Sequence, residues 1–363
     1  MIYSLGVDVS KDDLSACLER YLLSEQTHQV MARKTFKNTP SGFKACMSWL
    51  KQHTNDQPAP VRVTMEATGV YYEPLALFIQ QHHQQVHLSV VLPSQSKKFI
   101  GSQGYRSKTD KIDAHGLAMM GAERKLDAWR GIDSFWRELR AMTRTRSQLM
   151  DQRTRLKNQL HALAHAGQPT PQVTDSLLVC VETISSQVDE LTNLIGTHLR
   201  SRKDLAESIA CLRSIPGVGT LTIATILAET NGFTEFHSIS QLISFSGYDV
   251  VIRRSGTWCG TPKISKQGSK YIRKAMYMPA SAVIRKKKGP IYAFYERLLS
   301  RHNVKMKAHV AVQKKLLTYM YVLWTKGERF NPDEIRDQRS RHKKGVAPPE
   351  SEATVDTSLA LVQ

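Results

Sequence analysis

Acidic side chains are scarce in this chain of 363 residues. Asp and Glu number 32 against 51 Lys and Arg, a formal net charge of +19. A surplus that large points away from cationic partners and toward phosphate-rich ones, because basic side chains gain affinity by releasing condensed counterions. Cysteine is sparse as well. Cys17, Cys46, Cys180, Cys211 and Cys259 form no CxxC pair and have no histidine at zinc-ligand spacing. That excludes a disulfide scaffold and a structural zinc, and predicts a reduced, cytoplasmic chain. No apolar run reaches the roughly 18 residues of a membrane span. The first residues enter a strand-like segment without a basic leader region, so no secretory signal is expected.

The few acids that are present fall in suggestive places. Asp8 ends the apolar run MIYSLGVDVS, Glu66 ends PVRVTMEATG, and Asp110 and Asp113 lie three apart in RSKTDKIDA. Two carboxylates at strand ends and two on one face of a helix start are how a chain converges hard oxygen ligands on a divalent cation. Thr109 is a natural N-cap just before the pair. Each acid alone reads equally as a solvated loop residue or a complement to a helix dipole. Taken in order they resemble the RNase H-like, RuvC-type nuclease arrangement, and on a basic chain they point to metal-assisted phosphodiester chemistry, with Mg2+ (or Mn2+) as cofactor.

The surrounding pattern fits. Residues 2–9, LSACLER, VMARKTF, VRVTME (61–66) and VHLSVVLP read as strands. Helices are expected from Thr39-Pro40-Ser41 to Leu50, over VYYEPLALFIQQ, and around 110–121. Residues 1–130 are therefore an α/β domain on a mixed sheet, RuvC-like with a DEDD acid set. From about 134 to 200 the period changes. Met142, Leu149, Leu156 and Leu163 recur every seven residues, with Leu139 and Leu160 three before and Arg146 and Arg153 in the other companion positions. After GQPTPQ (167–172), Val181, Val188 and Ile195 continue the period. Residues 131–204 read as two long helices, a coiled-coil linker or an ordinary bundle. Residues 205–330 read as a mainly α domain with two Gly-rich interruptions, and 331–363 as a polar, disordered tail.

That α domain holds a second cluster. IPGVG (215–219) looks like a helix-hairpin-helix turn, whose backbone N–H groups can grip a phosphate or merely connect two helices. Ser255 follows Arg253 and Arg254 and precedes Gly256, and Lys263, Lys266, Lys270, Arg273 and Lys274 come shortly after. Arginine forks bind non-bridging phosphate oxygens, and no His–Asp pair supports acyl transfer. On residues alone Ser255 reads as a turn serine before it reads as a nucleophile. Further basic tracts lie at Arg285–Lys288, at Arg301, Lys305 and Lys307, and at Lys314–Lys315.

GVDVSKDDL, MEATGVYYEPL, RSKTDKIDAHGLA, SIPGVG and RRSG … ISKQGSKYIRKAMYMPA together resemble the Piv/MooV-like DEDD transposases, insertion-sequence recombinases associated with bridge RNA. The likeness spans about residues 2–325. It implies that Asp8, Glu66, Asp110 and Asp113 are catalytic metal ligands and that Ser255 attacks DNA to form a phosphoserine link. It further implies donor and target DNA as partners, a structured non-coding guide RNA, a dimer to tetramer in which acids of one subunit meet the serine of another, and a bacterial, nucleoid-associated location. Arg253, Arg254, Lys263, Lys266, Lys270, Arg273 and Lys274 are the expected nucleic-acid contacts. One departure stands out: the family reads G-L-x-P shortly before the serine, and this chain has Gly247-Tyr248-Asp249-Val250. Competing readings are a DNA invertase of the same architecture, a RuvC-like nuclease using water, and a non-catalytic nucleic-acid-binding protein.

Overall fold

Alternation sets up the first unit. Tyr3, Leu5, Val7 and Val9 alternate with Ser4, Gly6 and Asp8, and strand β1 (Ile2–Val9) sends the two sets to opposite faces. In the computed structural model, which describes residues 1–54, 60–104, 109–131, 133–165 and 170–332, the chain divides into two units, Met1–Gly131 and Ile132–Gln363. The expected tail falls outside the described residues from 333 onward, as do 167–169 of the expected turn and 106–108 at the start of the acid-pair motif.

In the first unit β1 pairs antiparallel with β2 (Asp13–Leu22), and β2 pairs with β3 (Thr27–Lys37) in the same sense. On its other side β1 pairs parallel with β4 (Val61–Glu66), followed by β5 (His87–Val91), giving the order β3-β2-β1-β4-β5. Three antiparallel strands continued by two parallel ones make the mixed sheet expected of an RNase H-like domain. Helices α1 (Pro40–Thr54) and α2 (Glu73–His82) seal one face, where Leu5, Val7, Leu14, Leu18, Val63 and Met65 meet Phe43, Leu50, Leu75 and Ile79. Helix α2 starts three residues later than the sequence suggests. Pro74 stands at its second position, in the first turn, where its missing N–H costs nothing.

The opposite face carries Ser4, Gly6 and Thr64 beneath α4 (Asp110–Glu123), flanked by α3 (Pro93–Ser102). Helix α3 was not foreseen, because PSQSKKFIGS has little apolar content; only Pro93 at its first turn marks it. Gly6 is what allows α4 to lie close. A Cβ there would stand 2.0 Å from the Ala114 carbonyl oxygen and 2.3 Å from the Ala118 nitrogen. Ser4 Oγ donates to the Ala118 carbonyl at 2.6 Å, and the Arg62 guanidinium donates to the carbonyls of Gly121 and Ala122 at 3.0 and 3.1 Å, closing the helix C-terminus. The helix is thus fixed at its middle and its end.

The second unit begins with two 31-residue helices, α5 (Ser134–Ala164) and α6 (Pro171–Ser201). Arg146 donates to Thr192 Oγ1 at 2.6 Å and Arg153 to Ser185 Oγ at 3.3 Å, so the helices run antiparallel, and the two arginines that interrupt the heptad stripe bridge them. Val181, Val188 and Ile195 are buried along that contact. After a 3-10 turn (Lys203–Leu205) come α7 (Ala206–Arg213), α8 (Thr220–Glu229) and α9 (Ile239–Ser246). Four two-residue strands follow: β6 (Val250–Val251), β7 (Arg254–Ser255), β8 (Trp258–Cys259) and β9 (Lys263–Ile264). Helices α10 (Lys270–Lys286), α11 (Pro290–His302) and α12 (Lys305–Lys326) complete the unit. Leu139, Ile195, Leu212, Ile223, Leu227, Ile272, Met276, Leu316 and Met320 share one core, so α5 and α6 are rooted in the helical domain.

Candidate functional site

The acids of the first unit are placed by register. Val7 pairs with Met65 across the parallel β1–β4 ladder, and one step further brings Asp8 level with Glu66. Asp8 lies two residues after Gly6, on the same face, and Glu66 two after Thr64. That is the face α4 covers. Along β1, Ser4 and Thr64 lie against Gly121, while Gly6 lies against Ala114, Leu117 and Ala118, so α4 runs opposite to β1. Two strand residues advance ~6.6 Å and four helix residues ~6 Å, which puts Asp113 alongside Asp8 and the first turn at the C-terminal ends of β1 and β4. All four predicted acids therefore gather at one end of the sheet.

Local chemistry reinforces the placement. Thr109 Oγ1 accepts from the Ile112 N–H at 3.3 Å, the expected cap, and Asp110 and Asp113 occupy the first turn where the helix dipole favours negative charge. The Glu66 carboxylate is held at both oxygens: Thr68 Oγ1 donates at 2.9 Å and the buried Ser96 hydroxyl at 2.5 Å. Sequence reasoning missed Thr68 and Ser96. Thr68 stands two residues past the strand-end acid. Ser96 belongs to the first turn of α3, the helix that follows the strand neighbouring Glu66, which was the available signal.

Four carboxylates with no nitrogen or sulfur donor suit a hard divalent cation. Among the described residues no three His, Cys, Asp or Glu side chains converge closely enough to cage an ion as they stand. A divalent cation that retains several waters would need only a few protein oxygens.

In the second unit Ser255 lies on a small hairpin. Arg254 pairs with Cys259 and Ser255 with Trp258, leaving Gly256 and Thr257 as a two-residue turn. Gly256 has φ +55°, the left-handed value that tight hairpin turns require at their first central position. The Gly260 N–H donates to the Arg253 carbonyl at 2.9 Å, extending the pairing by one. Arg253, Ser255, Trp258 and Gly260 thus share one face, and Arg254 lies on the other. Ser255 is exposed, and among the described residues nothing hydrogen-bonds its hydroxyl. The sequence reads here as a turn within a helical region; Gly256 is the hairpin signal it offers.

The basic residues separate into two groups. Arg253, Arg254, Lys263 and Lys266 are exposed on or beside the small ladders, and Lys270 Nζ lies over the Tyr271 ring. Arg273 instead donates to the carbonyls of Ser246 and Gly268 at 2.9 and 3.1 Å, and Lys274 bridges to Asp151 and Ser147 at 2.5 and 2.9 Å. Those two hold α10 to its neighbours. The departure at Gly247-Tyr248-Asp249-Val250 has a packing counterpart. Tyr248 is buried, its hydroxyl donates to Gln313 Oε1 at 2.7 Å, and Asp249 accepts from Ser265 at 2.5 Å. Burial pushes the Tyr248 phenol above its ordinary range, which keeps it a donor.

Comparison with known proteins finds two matched regions, one holding the four acids and the other Ser255. Residues 5–167 match a DEDD-type IS110 family model described as a transposase, and residues 209–296 match one described as the transposase IS116/IS110/IS902 family. The pilin gene-inverting protein of Moraxella lacunata is 27% identical over 333 residues, which cover 90% of this chain and 97% of that protein. Its counterpart in Moraxella bovis is 26% identical over the same length. The transposase for insertion sequence element IS1111A of Coxiella burnetii is 23% identical over 353 residues, 90% of each chain. Among solved structures, Thermus thermophilus RuvC aligns with 32% of this chain and 92% of its own at 13% identity, with a TM-score of 0.25.

Proposed function

We propose, for a chain that carries both transposase regions of the IS110 family in order, that it is a DNA recombinase joining a DEDD metal centre to a serine nucleophile. The carrying observation is the gathering of Asp8, Glu66, Asp110 and Asp113 at the C-terminal ends of β1 and β4. In the reaction Ser255 Oγ attacks a DNA phosphorus. The Oγ–P bond forms as the P–O bond to one deoxyribose oxygen breaks, the serine proton passes to solvent, and the leaving oxygen takes up a proton. One phosphodiester bond is traded for another, so the strand is resealed by the reverse attack without a high-energy cofactor. Arg253, on the Ser255 face, binds the non-bridging oxygens as a fork. A divalent cation at the acids would supply Lewis-acid stabilisation of the developing charge. Glu66, pinned by Ser96 and Thr68, presents its carboxylate in a fixed orientation for that cation.

The resemblance to bridge-RNA recombinases carries two finer parts of the proposal. A structured guide RNA chooses donor and target by base pairing, and in a tetrameric synapse the acids of one subunit serve the serine of another. Inversion is the second reading of the outcome, favoured by the likeness to two pilin gene-inverting proteins; its chemistry is the same. The test uses a suicide DNA substrate that traps the covalent intermediate. The wild-type chain should retain DNA phosphate on Ser255, while Ser255→Ala gives neither adduct nor cleavage but still binds DNA. Cleavage by Ser255→Ala would replace the serine reading with hydrolysis by water.

A further inference from the structure

Trp258 is 59% exposed, on an arm that has no core of its own to bury it. Tryptophan is costly to leave in water, and an exposed one marks a contact surface more often than a lone leucine does. Its position is specific. It stands directly across the hairpin from Ser255, where opposing Cβ atoms lie ~5 Å apart on one face. Its ring rests on Gly260: a Cβ at that position would come within 2.7 Å of Cη2 and 3.3 Å of Cζ2 and Cζ3. Glycine at 260 therefore lets the indole lie against the hairpin, leaving its outer side to solvent. Arg253 shares the face and Lys263 lies close along the chain, both exposed.

Resting on the reading of Ser255 as the DNA-attacking nucleophile, we infer that Trp258 is a positioning residue whose indole stacks on the nucleobase beside the attacked phosphate. A phosphate held between Ser255 and Arg253 carries its bases within a few ångströms, the reach of a cross-strand neighbour. Base stacking on an aromatic ring tolerates any sequence, because every base has a π-face. That suits an enzyme whose sequence choice is made elsewhere. The stack also fixes the rotation of the flanking nucleotide, and so the angle at which the serine oxygen meets phosphorus.

The full-length chain is compared with Trp258→Ala and Trp258→Phe on suicide DNA that is intact or abasic at each position flanking the cleaved phosphate. Trp258→Ala should slow adduct formation about tenfold or more, and Trp258→Phe by no more than about threefold, since it retains a ring. On DNA abasic at the stacked position the wild-type rate should fall to that of Trp258→Ala, which loses nothing further. The two losses are then one interaction. Independent losses that multiply, or no loss in Trp258→Ala, would overturn the inference. A change in oligomeric state with Trp258→Ala, without any dependence on the base, would overturn it in favour of docking on a second copy. Binding separates this failure from that of the serine reading. In a Ser255→Ala background, single-stranded DNA should quench tryptophan fluorescence, and the quench should vanish with Trp258→Phe and on the abasic strand. That readout decides the role of Trp258 whether or not Ser255 proves to be the nucleophile.

Discussion

Ser96 shows how a residue with no reactive role shapes the acid site. Its hydroxyl is buried and donates to Glu66 Oε2 at 2.5 Å, a charge-assisted bond of the stronger kind. Replacing it with alanine leaves the carboxylate free to rotate about its terminal torsion. Ser96→Ala should slow adduct formation by about tenfold, one charge-assisted hydrogen bond's worth, and part of the loss should return at higher magnesium. A magnesium titration of the adduct rate in both proteins checks this; an unchanged rate and midpoint would remove Ser96 from the site. At this scale the sequence exposed the acids and hid their supports. Asp8 and Glu66 follow apolar strands, and Asp110 and Asp113 follow a threonine cap, so local pattern marks them. Ser96 and Trp258 acquire meaning only when β5 is seated beside β4 and the chain reverses at Gly256. Those are pairing events between segments, invisible to local periodicity.

Elements in the second unit are tied by a buried carboxylate. Glu229, at the end of α8, accepts two bonds from Arg144 on α5, at 2.6 and 3.0 Å, and one at 3.0 Å from Ser269, the cap of α10. The partners differ in exposure: the Glu229 side chain is 2% exposed and that of Arg144 is 42%. Breaking the pair from either side is therefore unequal. Arg144→Met strands a carboxylate that cannot reach water and should cost about 3–5 kcal/mol. Glu229→Gln leaves an arginine already half in solvent and a side chain still able to accept, and should cost about 1–2 kcal/mol. Chemical denaturation of the two variants, with the difference in midpoint read at constant slope, tests the ordering; equal losses would contradict it. Element boundaries were legible wherever periodicity was long, as in the strands at 2–9 and 61–66 and the helices on either side of residue 170. The short ladders at 250–264 were not, since two-residue strands present no period to read.

At the scale of the molecule, charge and motif order were visible in the sequence: a net +19, with acids at 8–113 and the serine at 255. These fall on separate units, and the proposed covalent mechanism, its parts so divided, permits an experiment on mixtures. On the proposed mechanism, Asp8→Asn should abolish adduct formation by removing a metal ligand, and Ser255→Ala by removing the nucleophile. If each active site used acids and serine from one chain, any mixture of the two would stay inactive. If, as proposed, the acids of one subunit serve the serine of another, a mixed assembly contains one site in which both halves are wild type. Statistical mixing in a two-fold dimer makes half the assemblies mixed and one site in two of those intact, restoring roughly a quarter of the wild-type sites. The expected outcome is adduct formation on the Asp8→Asn chain alone, since only that chain keeps Ser255. Tagging the two variants to different masses and resolving the DNA-linked species on a denaturing gel reads this directly. Adduct in neither chain would place each serine with the acids of its own subunit.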